Sequence, residues 1–387
     1  MSRVCMITLT DVRNDLRIRK EAESAARAHE VHVVSHIESL PPGRFEYRGL
    51  LVHNVRLTTR RLPKSPVFWV IKYSEFLLRA AAAAIRCRAA IYHGHEITGA
   101  LPALIASRRH HAKFVYDAHE LEADRAGHVQ KTRWLNRLLL ICVRFVLRRA
   151  DHVLCASESR AKIMLDDYGV RERPTAILNV TPRAGLPEGD RAIDLRRDHQ
   201  LCGKRIVLYQ GALAPGRGLD RAVAALKLLP DDVVLVILGS GPTKELIAQA
   251  ERDGTRHRLV LIGHVPADSL VSYMRSADLG LAIYRNTCRN NYFCAPNKVY
   301  EYASVGLPIV GPNFPDVEQV LTRHNIGRTF DPDDPASIAH AVCAVLDDSD
   351  GRSAMSATAI ALKESVNWEQ QEAKLLSIYN RLLDCAK

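Results

Sequence analysis

The chain has 387 residues, 47% of them apolar and 25% charged, a composition that excludes a disordered chain and predicts a globular protein with a sizeable core. Its length favours two large domains, since single cores stop growing at about 250–300 residues. The net charge of +11 is uneven, because residues 1–183 hold 31 Lys and Arg against 18 Asp and Glu, whereas residues 184–387 hold 23 against 25.

The basic first half predicts an anionic partner, either nucleic acid or an anionic membrane leaflet, with a merely solvated face as the alternative. The sequence contains no run of five like charges, no zinc-finger spacing and no aromatic-glycine RNA-binding signature. A membrane surface is therefore favoured, and we expect no nucleic-acid partner.

Nine cysteines are scattered along the chain without a CxxC pair, which argues against a disulfide framework and a zinc site. The first residues, MSRVCMITLT, lack the apolar region and cleavage site of a signal peptide. Charged residues interrupt the apolar stretches at 67–85 and 135–147, so neither is predicted to span a membrane. We expect a cytoplasmic protein, with peripheral attachment to the inner face of the cell membrane as a further option.

Short β-rich runs alternate with longer helical patterns along the first half. Strands are predicted at 3–9, 31–35, 89–95, 113–119, 152–157 and 175–180, and helices near 15–28, 66–87, 98–109, 132–149 and 157–168. This alternation predicts a parallel sheet with covering helices, and continuously apolar strands agree with burial on both faces. The helix at 132–149 is basic and amphipathic, for which core packing is favoured over a membrane contact.

A Pro-, Gly- and charge-rich stretch at 181–203 predicts a linker, after which the pattern restarts. Strands are predicted at 205–213, 233–241, 258–265, 279–285, 307–312 and 327–331, and helices near 218–228, 242–253, 267–276, 296–305, 315–323 and 335–347. The predicted organisation is a first domain at 1–183, a linker at 184–203, a second domain at 204–365, and an amphipathic C-terminal helix at 366–387 that packs back on the first domain.

The predicted fold class is α/β, with two facing, doubly wound, Rossmann-like domains and a cleft between them. Such sheets bind ligands outside the carboxyl ends of their strands, so functional residues are expected in the loops that follow strands. In the second half, GALAPGRG (211–218) follows a strand and opens a helix, and Arg217 offers a fork suited to a phosphate. Two shorter segments also follow predicted strands, Gly239-Ser240-Gly241 and Gly263-His264-Val265. Each of them is either a ligand contact or an ordinary turn.

The segment CAPNKVYEYASVGLPIV (294–310) carries the strongest signal in the chain. A Pro-Asn pair starts a helix, whose amino end attracts anions, so a phosphate near Asn297 meets backbone N–H groups and Lys298 together. Glu301 is left to accept hydrogen bonds from a neutral hydroxylated group such as a ribose. Phosphate and sugar together indicate a nucleotide.

In the first half, IYHGHEITG (91–99) and VYDAHELE (115–122) each place a His at the carboxyl end of a strand. His95 and Glu96 are predicted either to contact an acceptor or to be structural. In DLRIRKE (15–21), Arg17 and Lys20 either meet an anionic acceptor or form an exposed charged face.

Taken together, GALAPGRG, VILGSGP, LIGHVP with the following Tyr273 and Ala277-Asp278, and PNKVYEYASVGLP resemble a bacterial glycosyltransferase of the GT-B fold, of the retaining family 4 type, over nearly the full length. The resemblance implies that Glu301 recognises the donor ribose, that Arg217 contacts the diphosphate, and that His119 meets the transferred sugar near its anomeric carbon. Two positions depart from the family pattern: Phe293 replaces a common Glu, and Ala212 replaces a common Arg.

The strand-end positions and the resemblance together give these site predictions. Catalytic residues are His119, Arg217 and Lys298; donor-binding residues are Gly211, Arg217, Gly239, Gly241, His264, Val265, Pro296, Asn297, Lys298 and Glu301; acceptor-binding residues are Asp15, Arg17, His95, Glu96 and Glu120. No metal site and no cofactor is expected, because cationic side chains can neutralise the diphosphate and no Asp-x-Asp follows a strand.

The predicted function is transfer of a sugar from a nucleoside-diphosphate sugar to a hydroxyl acceptor, with retention implied by the family. The basic first half favours a lipid-linked glycan or surface polysaccharide as acceptor, with a small natural product as the alternative. A nucleoside-diphosphate-sugar epimerase and a non-catalytic nucleotide-sugar-binding protein are the rival functions. An oxidoreductase is disfavoured because no GxGxxG follows the first strand.

Overall fold

The computed structural model describes residues 1–63, 65–125, 132–187, 193–214, 216–266, 269–295 and 297–384. The chain forms two compact units, unit 1 comprising Met1–Asn179 with Gln370–Lys387 and unit 2 comprising Val180–Glu369. Each unit is built on a sheet whose central strands are parallel and covered by helices. The prediction of two α/β domains with Rossmann-like sheets is confirmed.

Unit 1 holds one sheet in the order β3-β4-β2-β1-β5-β6-β7-β8. Its strands are β1 (Arg3–Ile7), β2 (Glu30–Ser35), β3 (Gly43–Tyr47), β4 (Leu50–Asn54), β5 (Ile91–His95), β6 (Lys113–Ala118), β7 (His152–Cys155) and β8 (Thr175–Ala176). Its helices are α1 (Leu16–Ala26), α2 (Pro66–Cys87), α3 (Glu96–His110), α4 (Arg133–Arg149) and α5 (Glu158–Asp167). Only β3 pairs in the antiparallel sense among the described strands of this sheet.

Unit 2 holds a parallel sheet of six strands in the order β11-β10-β9-β12-β13-β14. Its strands are β9 (Arg205–Gln210), β10 (Val233–Leu238), β11 (Leu259–Ile262), β12 (Leu279–Leu281), β13 (Ile309–Pro312) and β14 (Gly327–Phe330). Its helices are α6 (Leu195–Asp198), α7 (Leu219–Ala225), α8 (Lys244–Arg252), α9 (Leu270–Arg275), α10 (Arg289–Tyr292), α11 (Asn297–Ser304), α12 (Pro315–Arg323), α13 (Pro335–Leu346) and α14 (Ser349–Ser365).

Helix α15 (Trp368–Asp384) passes from unit 2 into unit 1 at Gln370. Its Tyr379 hydroxyl lies 2.6 Å from Nδ1 of His93 on β5. Its Glu372 carboxylate accepts hydrogen bonds of 2.6 Å from Ser24 of α1 and from Arg27, the residue after α1. These polar contacts and the fully buried Tyr379 ring make α15 part of the core of unit 1.

Local sequence explains where the main helices begin and end. Asp15 starts α1 by accepting the backbone N–H of Ile18, and Ser65 starts α2 by accepting that of Phe68. Arg88 ends α2 in a left-handed conformation with φ of 47°. The strands of the sheet centres are buried along their whole length, as in β5 and β10, because helices cover both faces.

Three elements differ from the sequence prediction. The hairpin β3-β4 was not predicted, since β3 is largely exposed at the sheet edge and carries little apolar signal. The predicted linker 184–203 contains α6, whose Leu195 is fully buried in the core of unit 2, and the chain crosses between units at Asn179 rather than after residue 183. Helix α14 was also missed, because few of its residues are apolar and buried.

Candidate active site

The carboxyl edge of the unit 2 sheet is formed by the loops that follow β9, β10 and β11. A Cβ atom at Gly239 would overlap the carbonyl oxygen of Gly211, and one at Gly241 would overlap that of Leu213. Gly211, Gly239 and Gly241 have φ of 133°, 147° and 151°, values that other residues rarely adopt. The loops after β9 and β10 therefore pack backbone against backbone, which only glycine permits at these positions.

Lys298 reaches this edge from the first turn of α11. Its side chain is only 7% exposed, and Nζ lies 4.0 Å from the ring centre of Tyr209 and 5.1 Å from that of Tyr284. A Cβ at Gly211 would lie 3.4 Å from Nζ, so the loop after β9 passes directly beside the ammonium group. The aromatic faces hold the cation in place through their negative quadrupoles.

Arg217 brings a second cation to the same place. Its guanidinium carbon lies 4.5 Å from the ring centre of Tyr284, the ring that Lys298 also faces. Burial and repulsion from Arg217 lower the pKa of Lys298 to about 7. Attraction from Glu301 offsets part of this effect. Two cations are thus held close together in a site where an anion would relieve their repulsion.

Glu301 lies one turn further along α11 and bonds to a residue that the sequence analysis did not single out. Its Oε2 accepts a hydrogen bond of 2.5 Å from Nε2 of Gln210, the last residue of β9. The backbone N–H of Gln210 donates to the Tyr302 hydroxyl at 3.1 Å, which fixes the strand end against α11. The amide oxygen Oε1 of Gln210 is buried and has no hydrogen-bond partner among the described residues.

The remaining predicted donor residues lie at the same edge but are less enclosed. His264 is exposed in the loop after β11, while Val265 is half-buried against the core of unit 2. Asn297 is the exposed first residue of α11, whose amino end faces the carboxyl edge because the helix runs antiparallel to the strands it connects. Pro296 lies outside the described residues.

Unit 1 contains a cavity of about 610 Å³ at the carboxyl ends of β1, β5 and β6. It is lined by Thr8, Leu9, Thr10, Asp15, Ile18, Trp69, Glu96, Ile97, Thr98, His119, Glu120, Glu122, Arg125 and Leu139. Four predicted residues are therefore brought together here, namely Asp15, Glu96, His119 and Glu120. Arg17 and His95 do not line this cavity.

His119 follows β6, and polar side chains contact both nitrogens of its ring. Its Nε2 lies 2.8 Å from Oδ2 of Asp117 and 3.3 Å from Nδ1 of His95, while its Nδ1 is 3.6 Å from Oε1 of Glu96. Arg160 donates a hydrogen bond to the backbone carbonyl of His119. Because Asp117 is anionic, Nε2 of His119 carries the ring proton and donates a hydrogen bond to that carboxylate, which fixes the ring orientation.

Arg17 lies beneath His119, with a side chain only 5% exposed. Its Nη2 and Nε donate to Asp117 at 2.8 and 3.1 Å, its Nη1 donates to the Ile177 carbonyl at 2.6 Å, and its Nε is 3.1 Å from Oε1 of Glu21. These partners occupy the guanidinium, so Arg17 acts on His119 through Asp117. Lys20, which was weighed for the same acceptor role, donates to Asn179 at 2.5 Å.

The two carboxyl groups beside Arg17 differ in charge. Burial and the adjacent Asp117 raise the pKa of Glu21 well above its ordinary value. Burial also opposes ionisation of Asp117, but Arg17 and His119 outweigh it and hold the pKa of Asp117 well below its ordinary value. The cluster therefore pairs the Arg17 cation with the Asp117 anion, while ionisation of Glu21 is opposed.

Histidines on β5 continue this buried network towards α15. His95 stacks on His93 with ring centres 4.3 Å apart, and His93 contacts the hydroxyl of Tyr379. Burial lowers the pKa of both rings, so they are neutral at physiological pH. His95 is thus a support of His119 rather than a lining residue.

Glu96 occupies a strained turn at the rim of the cavity. It has a φ of 58°, unusual for a residue with a side chain, directly after β5. Gly99 in the following turn has no room for a Cβ, because that atom would overlap the carbonyl oxygen of Ile7. Burial and the neighbouring Glu122 raise the pKa of Glu96 well above its ordinary value, so its carboxyl group can donate as well as accept a hydrogen bond.

Sequence reasoning missed Gln210, Tyr209, Tyr284, Asp117 and Glu21. Asp117 and Gln210 could have been found, because each lies near the carboxyl end of a predicted strand and close to a residue that was singled out. Tyr209 and Tyr284 are distant in sequence and face Lys298 only after folding, so no local signal marks them.

Family models match both units. A model described as glycosyl transferases group 1 matches residues 204–348, and one described as a glycosyl transferase 4-like domain matches residues 17–180. The chain is a glycosyltransferase. The family resemblance inferred from the sequence motifs is confirmed.

Curated relatives of this glycosyltransferase are moderately similar. A D-inositol 3-phosphate glycosyltransferase of Xylanimonas cellulosilytica is 28% identical over 45% of this chain and 42% of its own length. A phosphatidyl-myo-inositol mannosyltransferase of Mycolicibacterium smegmatis is 28% identical over 45% of each chain. The chain thus spans less than half the length of these two relatives.

Solved structures show the same fold over the whole chain. Sucrose-phosphate synthase from Thermosynechococcus elongatus superimposes with a TM-score of 0.84 at 16% identity and covers all of both chains. Anabaena HepE in complex with UDP-glucose gives a TM-score of 0.75 at 14% identity, covering 98% of this chain and all of HepE. The glycosyltransferase therefore has the GT-B fold. Within the described part of the chain, no helix combines the length and apolarity required to cross a bilayer.

Proposed function

We propose that the protein transfers a sugar from a nucleoside-diphosphate sugar to a hydroxyl acceptor, with retention of the anomeric configuration and without a metal ion. Unit 2 binds the donor at the carboxyl edge of its sheet, and unit 1 binds the acceptor in the 610 Å³ cavity. The observation that carries this proposal is the pairing of Lys298 and Arg217 around the ring of Tyr284.

A diphosphate suits that pair of cations. Burial and then repulsion from Arg217 lower the pKa of Lys298, and a bound diphosphate would offset both by attracting the ammonium group. The amino end of α11 adds backbone N–H groups and the positive end of the helix dipole to the same anion. Glu301 and Gln210 present adjoining polar groups to the ribose hydroxyls, and solved HepE with UDP-glucose supports this class of donor.

Catalysis by this site is electrostatic. As the bond between the anomeric carbon and the diphosphate oxygen breaks, negative charge grows on the leaving diphosphate, where Lys298, Arg217 and the amino end of α11 stabilise it. The acceptor oxygen forms its bond to the same face of the anomeric carbon, and its proton passes to the departing phosphate oxygen. Products are the glycoside and the nucleoside diphosphate, so no separate protein base is required.

The cavity in unit 1 offers groups that recognise a sugar and a hydroxyl acceptor. His119 is fixed by Asp117, and Glu96 lies beside it with a raised pKa, so the two supply oriented polar groups at the cavity wall. Trp69, Ile97 and Leu139 form apolar wall opposite the acids. A mixed lining of this kind suits an acceptor with both hydroxyl and apolar parts, such as a lipid-linked glycan.

An anionic membrane surface is the proposed source of a lipid-linked acceptor. Helix α4 exposes Trp134, Leu138, Ile141 and Phe145, each with 45% or more of its surface accessible. A 490 Å³ pocket beside them is lined by Ile141, Phe145, Arg144, Arg148, Arg149 and Arg171. Apolar side chains among arginines match the requirements of a helix lying on anionic lipid, and a relative named for phosphatidyl-myo-inositol supports this class of acceptor.

Vesicle binding tests the membrane part of the proposal. Vesicles rich in anionic lipid should retain the protein at low salt, neutral vesicles should retain much less, and Trp134→Ser/Ile141→Ser should lose retention. A matched control is Leu228→Ser/Ile360→Ser, which removes two exposed apolar residues of unit 2, 51% and 46% accessible. Equal retention on both vesicle types, or an unchanged Trp134→Ser/Ile141→Ser variant, would contradict membrane attachment.

Thermal shift with nucleoside-diphosphate sugars tests the donor site. At 100 times its dissociation constant the correct donor should stabilise the protein by about 2.7 kcal/mol. Lys298→Ala should reduce this shift without abolishing it, whereas Lys244→Ala, which removes an exposed cation from α8, should keep it in full. Absence of a shift with every uridine, guanosine and thymidine diphosphate sugar would overturn the donor assignment.

Product analysis separates transfer from the rival functions. A glycosyltransferase should release nucleoside diphosphate only when an acceptor is present, and the new bond should keep the anomeric configuration of the donor. An epimerase would change the donor sugar without any acceptor, and a binding protein would shift in melting temperature without turnover. Activity that disappears with a chelator would contradict the metal-free mechanism.

A further inference from the structure

Cys5, His32, His53 and Cys87 form a buried cluster in unit 1, and none of the four lines the proposed acceptor cavity. Their exposures are 0%, 6%, 5% and 1% respectively. Cys5 lies on β1, His32 on β2, His53 on β4, and Cys87 is the last residue of α2. No sequence spacing signals the group, because its four members come from four separate elements.

Strand register explains why three of these side chains meet. Cys5 pairs directly with His32 across β1 and β2, and His53 pairs with Val34, two residues beyond His32 on β2. Side chains two residues apart in a strand share a face, so all three project from the same face of the sheet. The carboxyl end of α2 then delivers Cys87 to that face.

The donor atoms are spaced as a tetrahedral metal site requires. Nε2 of His53 lies 3.1 Å from Nδ1 of His32 and 3.7 Å from Sγ of Cys87, and the ligand atoms of these three residues all lie within 4.8 Å of one another. Zinc bonds of about 2.0–2.3 Å to nitrogen and sulfur place neighbouring ligands roughly 3.3–3.8 Å apart. The Cys5 thiol interacts with that of Cys87 but lies outside this group of three, so it must turn towards the two rings to become a fourth ligand.

A second observation points to a metal. Nε2 of His32, the ring nitrogen not aimed at His53, lies 2.9 Å from Oε1 of Glu30. Metal-binding histidines commonly donate their second N–H to a carboxylate, which fixes the tautomer and strengthens the other nitrogen as a ligand. Arg3 holds this carboxylate at 2.9 Å and also donates to the backbone carbonyl of Cys87 at 2.7 Å.

We propose that Cys5, His32, His53 and Cys87 bind one zinc ion that ties β1, β2 and β4 to the end of α2. Two thiolates and two imidazoles are a closed ligand set typical of structural zinc, and all four positions are filled by protein. The ion would be coordinated by the two buried imidazoles and the two buried thiolates. Glu30 would accept a hydrogen bond from the second ring nitrogen of His32. This site departs from the expectation of no metal that the scattered cysteines gave.

Metal analysis of the full chain, purified without chelator, tests the proposal. We expect about one zinc per chain by mass spectrometry, reduced to less than about one tenth in Cys87→Ser and in His53→Gln. Cys202→Ser, which changes an exposed thiol in unit 2, should keep the full content. Zinc retained in both site variants, or another metal at that stoichiometry, would overturn the assignment.

Cobalt substitution keeps the test valid where a site variant does not fold. Wild-type protein stripped of metal and reloaded with Co²⁺ should show thiolate-to-metal charge-transfer absorption and the visible bands of tetrahedral cobalt. Its melting temperature should fall on stripping and recover with Zn²⁺. Stripped protein that takes up neither ion, or a disulfide between Cys5 and Cys87 in unreduced peptide maps, would show that the cluster is not a zinc site.

Discussion

Arg17 and Asp117 form a two-point ion pair, with Nη2 to Oδ1 at 2.8 Å and Nε to Oδ2 at 3.1 Å, between α1 and β6. Asp117 in turn accepts a hydrogen bond from Nε2 of His119 at the cavity wall. A buried charge pair therefore determines how a candidate catalytic ring is held.

Asp117→Asn should destabilise the protein, because it leaves the Arg17 guanidinium buried without its anionic partner. Removal of one member of a buried pair typically costs about 3–5 kcal/mol, but Glu21 can ionise and replace part of the lost charge. Asp117→Asn/Glu21→Gln should therefore cost more than the sum of the single changes, by about 1–3 kcal/mol in urea unfolding.

The control for that pair is Glu364→Gln, which removes an exposed partner of Arg183 and should change stability by less than about 0.5 kcal/mol. Strict additivity of Asp117→Asn and Glu21→Gln would show that Glu21 does not share the charge of Arg17.

Arg217→Ala and Lys298→Ala should each lower kcat by about 10²–10³ while changing donor affinity much less. The reason is that charge on the diphosphate grows during bond cleavage, so the two cations stabilise the transition state more than the bound donor. Steady-state kinetics with the cognate donor provide the measurement. Wild-type kcat in either variant, with only KM raised, would assign that residue to donor binding alone.

Donor binding should weaken as pH rises through about 7. The pKa of Lys298 is lowered to about 7 in the unliganded protein and should rise when the diphosphate binds. Below pH 7 the ammonium is already charged, whereas above it each binding event must take up a proton, so the dissociation constant should rise up to tenfold per pH unit. Calorimetry at pH 8.5 in two buffers of different ionisation enthalpy should detect nearly one proton taken up.

Lys298→Arg supplies the matching control, because a guanidinium stays charged over this range and should make donor affinity independent of pH. A wild-type dissociation constant that stays level from pH 6 to 9 would mean that Lys298 does not titrate in that window.

Gly239→Ala should weaken donor binding, because the new methyl group would overlap the carbonyl oxygen of Gly211 and push the loop after β9 away from Lys298. Gly254→Ala is the matched control, since Gly254 also has a positive φ, of 70°, but open space where a Cβ would lie. Both variants carry backbone strain, and only Gly239→Ala should raise the donor dissociation constant in a titration. Equal affinity in the two variants would show that contact between the loops does not shape the site.

Much of the fold was readable from the sequence because buried parallel strands are continuously apolar, as in β10, and helices such as α2 carry strong start and stop signals. The hairpin β3-β4 was not predicted because its first strand is largely exposed and its apolar and polar residues alternate only weakly. Helix α6 was not predicted because Leu195 is its one buried residue, and a single apolar position shows no helical periodicity.

The candidate site was only partly readable. Lys298, Arg217 and His119 stand at strand ends or helix starts, where position alone suggests a role. The environment of each one depends on distant residues: Tyr284 approaches Lys298 from another loop, and Arg17 reaches Asp117 from a hundred positions away. Local patterns cannot report such contacts, so the burial of Arg17 and the indirect role of His95 required the folded chain.

Helix α15 supplies unit 1 with Glu372 for Ser24 and Arg27, and with Tyr379 for His93. A ribosome releases residues 1–179 first and must then make the whole of unit 2 before this helix emerges. During that interval the nascent unit 1 lacks one wall, and His93 faces water. Unit 2 can therefore fold before unit 1 is complete. Unit 1 is synthesised first, but its folding ends only when α15 packs against it.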